Sequence, residues 1–185
     1  FAVGIPLLDR QLLDFQTIAA GIVVGGLIGA VLALRVKMTA MPQMVALLNA
    51  FGGGASALVA LAEFLLRADE FSAVTEVTTA FGIFIGTLTF TGSVVAFAKL
   101  EELLGGRPIV FRGQIPLNFV LLGVILALCA VFAVVFPANG LAILLAILVL
   151  SSLAGVLLVI PIGGADMPVV IALLNSYSGI AAAAT

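Results

Sequence analysis

Apolar residues fill this chain in long unbroken runs, and the charged residues fall in the short gaps between them. No charge occurs in Phe15 to Leu34, Met38 to Ala62, Val77 to Ala98, Gly113 to Ala165 or Met167 to Thr185. A bilayer core of roughly 30 Å takes about 20 apolar helical residues. Four of these runs hold one span each, and the long run from Gly113 to Ala165 holds two. Strand alternation is absent, and only helices and closed barrels satisfy backbone polar groups in lipid. The pattern therefore predicts an all-α, polytopic transmembrane helix bundle with six spans near 15–35, 41–66, 75–99, 116–136, 140–160 and 168–185. Residues 1–14 read as an N-terminal extramembrane segment, and 15–185 as the transmembrane domain. The last span runs into four alanines and Thr185 with no closing loop, so it reads as truncated and the sequence as an excerpt of something longer.

Composition narrows the class further. Of 185 residues, 64% are hydrophobic and 9% charged, where a soluble domain carries about 25% charge. Soluble enzymes, nucleic-acid binders and disordered tails are excluded, and a net charge of −2 supplies no basic patch for nucleic acid. With no histidine and one cysteine, Cys129, there is neither a metal-ligand cluster nor a disulfide framework. Phe1 to Asp14 lacks a basic region followed by a cleavage site and does not read as a signal peptide. Turns fall at Gly105-Gly106-Arg107-Pro108, Pro137-Ala138-Asn139-Gly140 and Pro161-Ile162-Gly163-Gly164. Loops after odd-numbered spans carry Arg35, Lys37, Lys99, Arg107 and Arg112, against Arg10 and Arg67 on the other side. Basic residues favour the cytoplasmic face, which places the N-terminus outside and those five residues in the cytoplasm.

An internal repeat supplies the candidate chemistry. Met41-Pro-Gln-Met-Val-Ala-Leu-Leu-Asn49-Ala-Phe-Gly-Gly53-Gly-Ala55 returns as Met167-Pro-Val-Val-Ile-Ala-Leu-Leu-Asn175-Ser-Tyr-Ser-Gly179-Ile-Ala181. Four crossings separate the copies, so both helices start on the same side. A parallel repeat of this kind differs from the inverted repeats of many secondary transporters. Asn49 and Asn175 each sit seven residues past a proline, about 10 Å into the helix at 1.5 Å per residue. An amide in hydrocarbon is costly unless hydrogen-bonded, so each needs the bundle interior, a partner or water. Both are candidates for a proton path, and both are compatible with interhelical glue. Asn49, Ser56 and Glu63 repeat every seven residues along one stripe, either a hydrated track or a packing seam.

Other polar residues divide the same way. Asp166 precedes the second repeat helix, where its carboxylate is placed to cap free N–H groups, with Pro168 in the first turn; it also stands alone in a Gly-Gly turn where a soluble domain can meet it. Span three carries Thr75, Thr79, Gly82, Gly86, Thr89, Ser93 and Ala96 on one small or polar face, a surface for close helix approach or for water. Glu76 at the outer end of that span is a candidate proton entry or exit, or an ordinary interfacial acid. Gly21, Gly25, Gly29 and Ala33 on span one read as a packing ridge. No Gly-rich phosphate loop joins a strand to a helix, and no nucleophile is paired with a base.

The segment Thr39-Ala-Met-Pro-Gln-Met-Val-Ala-Leu-Leu-Asn49, with Phe90-Thr-Gly-Ser-Val-Val-Ala-Phe-Ala-Lys99 and Ile162-Gly-Gly-Ala-Asp-Met-Pro-Val-Val-Ile-Ala-Leu-Leu-Asn-Ser-Tyr-Ser-Gly179, resembles the membrane domain of proton-translocating NAD(P) transhydrogenase beta subunits. The likeness runs in matching order from about Val31 to the end. It implies that the complete protein transfers hydride between NADH and NADP⁺ while moving protons across a bacterial inner membrane. It further implies an NADP(H)-binding domain beyond further helices, an NAD(H)-binding alpha subunit as partner, a dimer of alpha–beta units, and no cofactor or metal bound by this stretch itself. By the resemblance, Asn175, Ser93 and Glu76 belong to the proton path and Asp166 to the contact with the NADP(H) domain. Asn49 departs from it, because many members carry a protonatable His there; the implied titrating group then comes from the alpha subunit. The rival readings are a small-solute transporter or channel subunit, and a structural membrane scaffold.

Overall fold

A computed structural model describes residues 15–135 and 139–184. The segment read as extramembrane, 1–14, lies outside them, as do Arg10 and the Pro137-Ala138 part of one expected turn. All regular structure among the described residues is helical: α1 (Phe15–Arg35), α2 (Met41–Arg67), α3 (Ala73–Leu100), α4 (Gln114–Val135), α5 (Gly140–Val159) and α6 (Met167–Ala184). Short 3₁₀ turns at Met38–Ala40, Ala68–Glu70 and Gly164–Asp166 sit between them. Each helix follows the expected span within about two residues, and α1 to α5 are long and apolar enough to cross a membrane. The chain is a helical membrane protein.

The described residues divide into two units, one ending at Ala40 and one beginning at Met41. The first contains α1, with its Gly21, Gly25, Gly29 and Ala33 ridge. The second is a bundle built around α3, which touches α2, α4, α5 and α6. Its sequence explains that position. Most of α3 between Thr79 and Lys99 is buried, including Gly82, Gly86, Gly92, Ser93 and Ala96, and small side chains let helix backbones approach in lipid, where packing replaces the hydrophobic drive.

The contacts are backbone to backbone. A Cβ added to Gly86 lies 2.7 Å from the Gly53 carbonyl oxygen, and one added to Gly53 lies 2.7 Å from that of Gly86. These two glycines are where α2 crosses α3. Gly155 of α5 is equally tight, closing on the Leu88 carbonyl and the Thr91 hydroxyl of α3. Larger side chains fill the end of the bundle near the α2–α3 turn, where Phe64 meets Phe71 and Phe132 edge to face at 6.2 and 5.8 Å between ring centroids. Leu58, Val59, Leu66 and Val131 point outward, as a lipid-facing surface requires.

Polar ties complete the bundle. The Gln114 side-chain amide donates to the Leu157 carbonyl oxygen at 3.0 Å and joins the start of α4 to the end of α5. Ser72 caps α3 by accepting from the Thr75 backbone N–H at 3.2 Å, the role expected of serine at a helix N-terminus.

Candidate functional site

The repeat brings α2 and α6 side by side against α3. Pro42 and Pro168 stand in the first turns of the two helices, where a missing N–H costs nothing. Between α2 and α6 opens a groove of about 800 Å³. Its walls are equivalent residues of the two copies: Pro42 with Pro168, Val45 with Ile171, Asn49 with Asn175, Gly52 with Ser178, and Gly53 with Gly179. Two carboxamides at matching positions therefore line one apolar cleft.

Their environments differ. Asn49 is 8% exposed, and its Nδ2 donates to Ser93 Oγ at 2.8 Å. Ser93 is fully buried on α3. One turn earlier on α3, the buried Thr89 accepts at Oγ1 from Ser178 Oγ of α6 at 2.9 Å. Thus Thr89 and Ser93, four residues apart and so on one helix face, hold one repeat helix each. Interhelical bonds of this kind contribute on average about 0.6 kcal/mol. Asn175 is exposed to the groove, and its amide has no hydrogen-bond partner among the described residues. A carboxamide offers two donors and two acceptor lone pairs, so in a hydrocarbon setting it calls for water or a polar neighbour.

The seven-residue stripe on α2 divides along its length. Asn49 and Ser56 line the groove, but Glu63 turns to Arg67 on its own helix at 3.6 Å. Nearness in sequence wins here, since an i, i+4 ion pair forms without any neighbouring helix. On α3, Gly86, Thr89 and Ser93 of the small-residue face meet α2 and α6, so at this level the face is used for packing and hydrogen bonding.

Glu76 is not part of this cluster. It lies half-buried in the first turn of α3, about 25 Å along the axis from Ser93 at 1.5 Å per residue. An acid there also favours the positive end of the helix dipole. Asp166 ends the 3₁₀ turn Gly164–Asp166, immediately before α6, and is exposed. The expected carboxylate cap is not formed. The 3₁₀ turn runs straight into α6, leaving no extended N-cap residue, and among the described residues the Asp166 carboxylate has no hydrogen-bond or ion-pair partner.

One residue carries more than the loop charge that its place in the sequence suggests. Lys99 lies inside α3, is 1% exposed, and is the one charged side chain fully buried among the described residues. Its Nζ donates to the carbonyl oxygens of Arg107 at 3.1 Å, Ile160 at 2.5 Å and Ile162 at 2.7 Å. The available signal was its place at the end of an apolar run, since a lysine there can satisfy carbonyls at a neighbouring helix end.

The described residues contain no strand–glycine loop–helix unit of the kind that cradles a dinucleotide pyrophosphate, and no cluster of three or more His, Cys, Asp or Glu.

Comparison with known proteins follows the same residues. The family model described as NAD(P) transhydrogenase beta subunit matches residues 1–185. Two curated relatives named NAD(P) transhydrogenase subunit beta, one from Rhodospirillum rubrum and one from a designated strain of that species, are each 42% identical over 189 aligned residues. Each alignment covers 98% of this chain and 40% of the relative. The chain thus spans less than half the length of the curated relatives it matches.

Proposed function

Because the chain belongs to the NAD(P) transhydrogenase beta subunit family, we propose that it is the membrane part through which a complete transhydrogenase moves protons, coupled to hydride transfer between NADH and NADP⁺. The observation that carries this reading is the groove between α2 and α6, with Asn49 and Asn175 on its two walls. An apolar cleft with an unpartnered carboxamide favours a hydrated interior over a sealed contact.

Neither amide titrates, so neither carries the charge. Asn49, anchored to Ser93, orients water or a polar partner, and Asn175 supplies the opposing donors and acceptors. The protonatable group is contributed by the alpha subunit, on a helix that reaches this groove. Glu76, at the far end of α3, serves as the outer exit or entry. Gating belongs to the α2–α3–α6 contact, where small residues leave the backbones touching and a slight shift changes the groove.

Hydride transfer is supplied by nucleotides bound elsewhere, NADP(H) on a further domain of the same subunit and NAD(H) on the alpha subunit. The free carboxylate of Asp166 stands at the cytoplasmic end of α6 and meets the NADP(H) domain. In this arrangement the protein lies in a bacterial inner membrane as a dimer of alpha–beta units, N-terminus outside and loops after odd-numbered spans cytoplasmic.

The test is NADPH-dependent proton translocation by the reconstituted two-subunit enzyme, wild type against Asp166→Asn. Wild type should move protons with hydride transfer, and the variant should move fewer protons per hydride. Equal ratios remove Asp166 from the coupling.

A further inference from the structure

We propose that Lys99 is a positioning residue that ties the turn carrying Asp166 to α3 and so holds the Ser93–Asn49 pair in register with that turn, an assignment that rests on the proton-translocating reading above. An ammonium has three N–H donors and no acceptor. All three are used, on carbonyls of three separate places in the chain: Arg107 in the loop after α3, Ile160 just past α5, and Ile162 in the turn leading to Asp166. Among the described residues no carboxylate pairs with it, although Glu101 and Glu102 stand two and three residues on and lie exposed. A buried charge is ordinarily matched by an opposite one. Here the match is the negative end of α5, whose terminal carbonyls have no helical partner of their own.

The turn is fastened around the same point. The Ile109 backbone N–H donates to the Ile160 carbonyl oxygen at 3.2 Å, and that of Gly164 to the Gly106 carbonyl oxygen at 2.9 Å. Gly164 and Asp166 begin and end one 3₁₀ turn. At the other end of the connection, Ser93 precedes Lys99 by six residues, about 9 Å along α3, and both are fully buried. Ser93 accepts from Asn49 at the groove. A rigid helix therefore joins the ammonium clamp to the groove hydrogen bond. Mere glue at this place would set how much protein accumulates; a positioning role sets how many protons move per hydride.

The experiment uses the complete two-subunit enzyme in sealed vesicles, with NADPH to NAD⁺ hydride transfer and proton movement recorded together. In Lys99→Met the protons moved per hydride should fall by about tenfold, within the usual range of coupling free energies. Lys99→Arg, which keeps the charge and the donors, should restore most of the ratio. A wild-type ratio in Lys99→Met overturns the role while leaving the broader reading intact. A wild-type enzyme that moves no protons overturns the broader reading and the Lys99 role with it. If Lys99→Met does not accumulate, Lys99→Gln is read in its place: a collapsed ratio supports the role, and a wild-type ratio overturns it.

Discussion

Three consecutive glycines on α2 face three different surroundings, and the structure assigns each a different response to alanine. A Cβ at Gly52 meets nothing within 4 Å. One at Gly53 falls 2.7 Å from the Gly86 carbonyl oxygen, 2.9 Å from Thr89 Cβ and 3.0 Å from the Phe90 backbone nitrogen. One at Gly54 falls 3.1 Å from the edge of the Phe90 ring. Alanine stabilises a helix over glycine by roughly 0.8–1.0 kcal/mol in aqueous hosts. Gly52→Ala should therefore be neutral or slightly stabilising. At Gly53 the obstacles are mainly backbone, so α2 must withdraw from α3, and overpacking of this kind costs about 1–3 kcal/mol. The same withdrawal stretches the 2.8 Å Asn49–Ser93 bond, adding about 0.6 kcal/mol if it is lost. Net destabilisation of about 1–3 kcal/mol is expected for Gly53→Ala, with Gly54→Ala between the two because a ring edge can give way. The assay is unfolding of the complete protein in mixed micelles of increasing denaturing-detergent fraction. Equal midpoints for all three variants, or Gly52→Ala as the weakest, would refute the assigned α2–α3 crossing.

Two further variants separate buried from exposed polar contacts. Ser93→Ala removes the partner of a buried amide and should destabilise by about 1 kcal/mol, since truncation leaves Asn49 Nδ2 unpartnered; a midpoint equal to wild type in the same micelle assay contradicts the bond. Glu63→Ala breaks an ion pair whose side chains are 46% and 37% exposed. It should change stability by less than about 0.5 kcal/mol, and a larger loss means that Glu63 has a role beyond its own helix.

Much of the architecture was legible in the chain because the bilayer imposes it. Charge-free runs set the helices, and the structure moves their ends by no more than about two residues. The repeat also carried real spatial information: equal distance from equal prolines put Asn49 and Asn175 on facing walls of one groove. Partners were not legible. Asn49 finds Ser93 and Ser178 finds Thr89 across long sequence separations, and those pairings depend on helix rotation, which glycine contacts such as Gly53 against Gly86 decide. Periodicity likewise put Glu63 on the Asn49 face without showing that its partner is Arg67, one turn along the same helix. The role of Lys99 is the least legible of all. Its charge counted toward orientation, but its acceptors at Ile160 and Ile162 belong to a distant helix end, and a flexible stem can carry an ammonium to places that sequence spacing does not reveal.

Under the proposed function, hydrogen ions travel along the cleft between the two repeat helices. Proton movement per hydride, measured in vesicles for Asn49→Leu and Asn175→Leu beside wild type, addresses it most directly. A clear drop is expected in both variants, because leucine dries the cleft and removes the groups that orient water. A ratio unchanged from wild type in both, in correctly assembled enzyme, would contradict it and leave the paired amides as packing alone.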